Sequence, residues 1–465
     1  MTFMRLGSKR RQPADPLRIA IATSRLAKIS PAVLALAIFL LVALLFTGLL
    51  MLPFATADGR PTPVHDAMFT AFSAVTVTGL VSVDTAEHWS FFGEAVILLG
   101  IQIGGLGIVT IALLLSRAVT RSFGVQVRIF AQQGIGASKL GEVQSLLRIV
   151  VLTTLVLELA LAVVLVPRFI MVEESFGRGL WHGVFYAISS FNNAGFAPNP
   201  GGIAAYDGDL WILIPVMIGV FVGSFGFPVY LVLMLSRQHW RRWSLHTKLT
   251  LTTTVFFLLV GALAWGAFEW SNQATIGDMT VADKIFHSLF ASTMMRSGGF
   301  SLTDYGASEP VTLLVTDALM FVGGGSASTA GGIKVTTIAV LFLAIVAEAK
   351  GDKDAMVFGR TIPQGILRVA ISVTFLGATL VLVATGLLML VTDTPLDRIL
   401  FEVISAFATC GLSVGLSEEL PPFGLYVLTA LMFAGRIGPI GLASALAIRR
   451  RNLLFRYPEE RPVLG

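Results

Sequence analysis

Four short clusters of small residues carry the chemistry in this 465-residue chain. They read TVTGL at Thr76 to Leu80, NNAGF at Asn192 to Phe196, RSGGF at Arg296 to Phe300 and ATCGL at Ala408 to Leu412. What these clusters offer is backbone rather than a nucleophile or a base. Convergent carbonyls can replace the hydration shell of a monovalent cation, and glycine supplies the positive φ that turns successive carbonyls to one side. The candidate ion-binding residues are therefore Thr76, Val77, Thr78 and Gly79; Asn192, Asn193, Ala194 and Gly195; Arg296, Ser297, Gly298 and Gly299; and Ala408, Thr409, Cys410 and Gly411.

The four glycines Gly79, Gly195, Gly299 and Gly411 stand 116, 104 and 112 residues apart, so a unit of that length recurs four times. Ser73, Ser189, Thr293 and Ser405 each precede their glycine by 6 positions. A second register follows: Gly104, Gly223, Gly323 and Gly435 lie 25, 28, 24 and 24 residues downstream. Each unit reads as a spanning helix, a short half-helix, a glycine loop and a second spanning helix. Irregular backbone cannot face lipid without leaving amides and carbonyls unsatisfied, so the four loops are expected to meet around a water-filled axis.

Other polar residues fall within apolar stretches. Gly323, Gly324, Gly325, Ser326, Ala327 and Ser328 are too rich in glycine and serine to sustain a straight helix, and a break is expected there, with close helix packing as the rival reading. Arg436 sits midway along an apolar run, where a charge must face protein or water; it is a barrier to a transiting ion, a tether on the carbonyls of the break, or a purely structural anchor there. Lys334 is either an anchor on the cytoplasmic side or part of a gate. Glu402 either pairs with Arg398 at i+4 or supports the fourth loop from behind, and Arg296 is expected to point away from the axis towards a carboxylate such as Glu402. Asp66, Asp283 and Asp397 either concentrate cations at a mouth or cap their half-helices.

The elements that must position these residues are membrane helices. The chain is 55% hydrophobic and 13% charged, against roughly 25% charged in soluble domains. Apolar runs of spanning length recur from Pro31 to Pro53, Phe91 to Leu115, Leu146 to Leu165, Leu210 to Leu235, Leu249 to Phe268, Val311 to Val346, Ile366 to Val391 and Tyr426 to Ile448. Basic residues cluster in alternate connections, among them Arg117, Arg121, Arg241, Arg242, Lys350 and Lys353, while the others carry Asp84, Glu87, Asp207, Asp209, Glu418 and Glu419. By the positive-inside rule both termini are cytoplasmic. The net charge of +5 is mostly this orientation signal; it also favours anionic inner-leaflet lipid, and nucleic acid is not an expected partner. Cys410 is the single cysteine, which excludes an intrachain disulfide, and the chain carries no phosphate-binding loop or catalytic histidine set. No enzyme activity and no covalent cofactor are expected.

These residues resemble the Trk/Ktr/HKT superfamily of potassium transporters. HDAMFTAFSAVTVTGL at His65 to Leu80 is similar to the first pore segment of its Ktr-type membrane subunits, and MFVGGGSASTAGGIKVTT at Met320 to Thr337 and MFAGRIGP at Met432 to Pro439 resemble two further signatures. The resemblance implies an all-α membrane fold of four covalently linked helix, pore-helix, helix repeats around a central pore, arranged like a potassium channel. The boundaries it suggests are an N-terminal cytoplasmic arm over 1–28, repeats over 29–117, 146–237, 247–347 and 364–449, and a C-terminal tail over 450–465. It implies potassium held on the backbone carbonyls of Thr76, Val77, Asn192, Asn193, Ser297 and Thr409, and a gating loop at Gly323 to Ser328 facing Arg436. Glycine at position 79 argues for potassium in this family. The family also implies a bacterial plasma-membrane location, a cytosolic nucleotide-binding regulatory ring and a homodimer, with sodium as activator or, in a rival reading, as the translocated or coupled ion.

Overall fold

In a computed structural model, residues 31–107, 143–236 and 240–438 are described. The expected N-terminal arm, the C-terminal tail and the basic connection around Arg117 and Arg121 lie outside these residues.

The described residues are built almost wholly from helices: α1 (Pro31–Leu50), α2 (Val64–Thr76), α3 (Phe91–Gly105), α4 (Val143–Val172), α5 (Phe176–Phe191), α6 (Leu210–Gly223), α7 (Phe227–Ser236), α8 (Leu245–Glu269), α9 (Val281–Met294), α10 (Pro310–Phe321), α11 (Val335–Lys350), α12 (Gln364–Leu388), α13 (Leu396–Ala408) and α14 (Pro422–Ile437). A small hairpin, β1 (Met356–Val357) with β2 (Arg360–Thr361), joins α11 to α12. Local chemistry sets many of the starts. The side chains of Ser90, Asp209, Ser244 and Thr280 accept from first-turn amides of α3, α6, α8 and α9, satisfying donors that have no partner within the helix.

The eight apolar runs are not eight uninterrupted spans. Among the described residues only Val150–Val172, Leu245–Glu269 and Gln364–Leu388 are long and apolar enough to cross alone; at 25 residues each, α8 and α12 rise about 37 Å against a hydrocarbon core of about 30 Å. The run from Val311 to Val346 divides into α10 and α11 with residues 322–334 between them, as the glycine content suggested. The run from Leu210 to Leu235 also divides, unexpectedly: α6 and α7 meet at 94°. Ser224, Phe225 and Gly226 make that corner, Gly226 has φ +92°, and Phe227 N–H donates to Ala327 O at 3.1 Å. Both breaks face each other, so each satisfies backbone groups that the other leaves free.

Packing follows a cyclic order. α3 touches α5, α6 touches α9, α10 touches α13, and α14 returns to α2. The four short helices α2, α5, α9 and α13 are thereby enclosed, and Phe69, Phe72, Phe185, Phe191, Phe290, Phe401 and Phe407 are buried around them. Leu41, Leu263, Phe375 and Leu382 remain exposed on α1, α8 and α12, as expected of surfaces facing lipid. Lipid is as apolar as leucine, so close packing and polar contacts must hold the helices together. Glycine provides the closeness: a Cβ on Gly104 would fall on Val75 O, on Gly223 on Phe191 O, and on Gly435 on Phe407 O. These three acceptors all stand four residues before their loop glycine. Gly323 breaks the pattern, for it lies against Gly331 O, because the chain returning after the break occupies that place.

Candidate functional site

Each glycine cluster follows directly from a short helix, and the same backbone turn recurs. Val77, Asn193, Ser297 and Thr409 have φ of 57°, 60°, 86° and 47°, and Gly79, Gly195, Gly299 and Gly411, two residues later, have φ of 92°, 71°, 74° and 92°. Left-handed φ at β-branched Val77 and Thr409 is strained, and such strain persists only where the surroundings dictate it.

The surroundings are the other loops. A Cβ on Gly79 would fall on Ala194 O; on Gly195 it would lie 2.8 Å from Gly299 Cα, and on Gly299 it would lie 2.8 Å from Cys410 O; on Gly411 it would fall on Thr78 O. Each glycine thus abuts the next, and the fourth abuts the first. No larger residue fits without displacing backbone, which accounts for glycine at all four places.

Side chains behind the ring fix the loops unequally. Ser73 Oγ accepts from Gly79 N–H at 3.0 Å and Ser405 Oγ from Gly411 N–H at 3.1 Å. The two matching residues act otherwise: Ser189 Oγ donates to Phe196 O at 2.9 Å, and Thr293 Oγ1 donates to Leu289 O within its own helix. Asn192 donates to Glu158 at 2.7 Å and Asn193 to Ser224 at 2.8 Å. Cys410 is buried, its sulfur 3.3 Å from Met295 O.

Neither the expected Arg296–Glu402 contact nor the Arg398–Glu402 alternative is formed. Arg296 does point away from the ring, but its guanidinium donates to Thr254 O at 2.8 Å on α8 and not to Glu402. Glu402 instead accepts from the hydroxyls of Ser413 and Ser417 and from the backbone N–H of Val414 and Ser417. Arg398, one turn before it, reaches Gly306 O at 3.0 Å rather than Glu402. The hydroxyls and backbone N–H groups of the chain after the fourth loop satisfy the Glu402 carboxylate without an arginine. Glu402 does sit behind the fourth loop, holding the chain just beyond it. Asp66, Asp283 and Asp397 lie in first turns but are not N-caps, which are Pro63, Thr280 and Pro395. Asp66 accepts from Ser82 Oγ and Asp283 from Thr280 Oγ1.

The segment between α10 and α11 contacts the turns that carry three of the loops. Thr329 Oγ1 donates to Gly223 O at 2.9 Å and lies 3.3 Å from Asn193 Oδ1. Gly331 N–H donates to Ser297 Oγ at 3.3 Å, and Ser297 Oγ donates to Thr409 O at 2.9 Å. Arg436 donates to Thr329 O and, at 2.7 Å, to Gly104 O, so α14 and α3 are joined to the same segment. Lys334 Nζ donates to Ala330 O at 2.7 Å and Gly331 O at 3.2 Å, neutralising carbonyls that the turn leaves free. Residues 329–334 thus belong with Gly323 to Ser328; sequence reading stopped at the glycine-rich half and missed Thr329 and Gly331. It also missed Glu158, whose signal was a carboxylate inside an apolar run.

Helices long and apolar enough to cross a membrane surround this ring of backbone and its arginine tether, and the class of protein follows from its relatives: a membrane ion transporter. Residues 34–452 match the family described as TrkH, cation transport protein, and the chain belongs to that family. It is 36% identical to the Ktr system potassium uptake protein B of Bacillus subtilis, over 92% of this chain and 95% of that one. It is 33% identical to the potassium/sodium uptake protein NtpJ of Enterococcus hirae, over 94% of this chain and 98% of that one. The crystal structure of the potassium transporter TrkH from Vibrio parahaemolyticus shares its fold, with a TM-score of 0.69 at 19% identity over 88% of this chain and 84% of that one.

Proposed function

We propose that the chain is the ion-conducting subunit of a bacterial potassium uptake system, passing K+ through the ring of Gly79, Gly195, Gly299 and Gly411. The observation that carries this reading is the closed cyclic contact of those glycines, each at positive φ. The four units are then repeats over 29–117, 146–237, 247–347 and 364–449, with α2, α5, α9 and α13 as pore helices and both termini cytoplasmic. Carbonyls of Thr76, Val77, Asn192, Asn193, Ser297 and Thr409 hold the ion. Residues 323–334 are the gating loop, and Arg436 fastens it.

Glycine at position 79 and the relationship to Ktr system potassium uptake protein B favour potassium. A second reading, a sodium-translocating or sodium-coupled transporter, draws on the relationship to a potassium/sodium uptake protein. A cytosolic nucleotide-binding ring as regulator, and a homodimer, complete the proposal; the name Ktr system, given to relatives, supports a multi-component assembly.

Rubidium and sodium uptake into proteoliposomes, with regulator supplied, tests it. Native rubidium flux that is lost or turned towards sodium in Gly79→Ser supports potassium conduction through the ring. Sodium flux exceeding rubidium flux in the native chain selects the second reading, and no cation flux overturns both.

A further inference from the structure

Glu158 lies on α4 between Leu157 and Leu159, within an apolar run, and is 6% exposed. A carboxylate at such depth is costly unless it faces protein, and here it faces two carboxamides. Its Oε1 accepts from Asn192 Nδ2 at 2.7 Å and its Oε2 from Gln102 Nε2 at 3.1 Å. Asn192 ends the short helix α5, three residues before Gly195, and Nδ2 also donates to Ile188 O at 2.9 Å. Gln102 lies on α3, one turn before Gly105, where a Cβ would fall on Asn192 Oδ1. α3 therefore provides a seat for the Asn192 carboxamide, and Glu158 closes it from α4.

Among the described residues, no lysine, arginine or histidine forms an ion pair with Glu158. Both of its oxygens accept, as those of an ionised carboxylate do. When ionised, this carboxylate has no counter-ion, and its negative charge lowers the energy of a monovalent cation held nearby.

We propose that Glu158 is a positioning residue that fixes the second glycine loop through Asn192 and, by its charge, raises the affinity of the ring for a monovalent cation. The proposal rests on the reading of the ring as the ion path. Glu158→Gln keeps the shape and an acceptor for Asn192 but removes the charge, whereas Glu158→Ala removes both. Concentration-dependent rubidium uptake into proteoliposomes separates the roles. Native flux comes first: its absence overturns the ion-path reading itself, before Glu158 is at issue.

With native flux present, Glu158→Gln is expected to raise the half-saturating rubidium concentration about tenfold while holding the maximal rate within about twofold. Glu158→Ala is expected to show the same rise and, in addition, to lose discrimination between rubidium and sodium. An unchanged half-saturating concentration in Glu158→Gln overturns the proposal. Equal losses of maximal rate in both variants, with half-saturation unmoved, overturn it in favour of a purely structural side chain.

Discussion

Arg436 donates a hydrogen bond to the carbonyl of Thr329, joining the last turn of α14 to the segment between α10 and α11, and its second terminal nitrogen holds Gly104 O at 2.7 Å. One guanidinium therefore clamps the break against α3 and α14 together. Hydrogen bonds from a charged donor are worth roughly 1.5–3 kcal/mol each. Arg436→Ala releases both, so rubidium flux without regulator is expected to rise about tenfold or more. Arg436→Lys keeps the charge but cannot reach two divergent carbonyls. A flux in the lysine variant close to that of alanine identifies the clamp as geometric, and one close to native identifies it as a charge barrier.

The residues explain what was legible beforehand. Glycine at 79, 195, 299 and 411 could be read because close backbone contact admits nothing else, and the requirement repeats at regular spacing. The apolar runs were equally plain, since lipid imposes length and composition together. The corner at Ser224 to Gly226 was not, because its cause is distant in sequence: the break around Ala327 supplies the acceptor for Phe227 N–H. The partner of Arg296 was misread for a related reason. Opposite charge is the obvious expectation for a buried arginine, yet Thr254 O lay nearer, and no pattern in the sequence distinguishes one carbonyl among many.

The four positions that precede each glycine by six are chemically alike and should behave differently. Ser73 and Ser405 accept from the glycine N–H, whereas Thr293 bonds within its own helix. Losing a buried acceptor costs about 1–3 kcal/mol. Ser73→Ala and Ser405→Ala are expected to lower rubidium over sodium preference several-fold, while Thr293→Ala leaves it unchanged. Competitive uptake of the two ions compares the three variants directly, and equal effects at all three would contradict the asymmetry.

Alanine at the downstream glycines tests the packing around the short helices. At Gly104, Gly223 and Gly435 the added methyl falls on a carbonyl oxygen of the adjacent helix end, and forced overpacking costs about 1–3 kcal/mol or more. Thermal unfolding in detergent should show a lower melting temperature in each. Gly323→Ala collides instead with Gly331 O inside the break, so its principal effect is expected in rubidium flux, with a smaller change in melting.

Glu418, in the one-turn helix between α13 and α14, provides a test by pH. Glu418 is exposed, but partial desolvation raises its pKa, and the carboxylates of Asp84 and Glu419 raise it further. The folded state therefore holds the proton at a pH where the unfolded chain has released it. The favourable contribution is fully present below the ordinary carboxylate pKa and is lost as pH rises through the folded value, above which the ionised group is a liability. Glu418→Gln removes the liability. Its melting temperature is expected to exceed that of the native chain at about pH 7.5 and to converge with it towards about pH 4, where the native side chain is protonated and, like glutamine, uncharged. Parallel melting curves of the two chains across that interval would show that the neighbouring carboxylates do not act on Glu418.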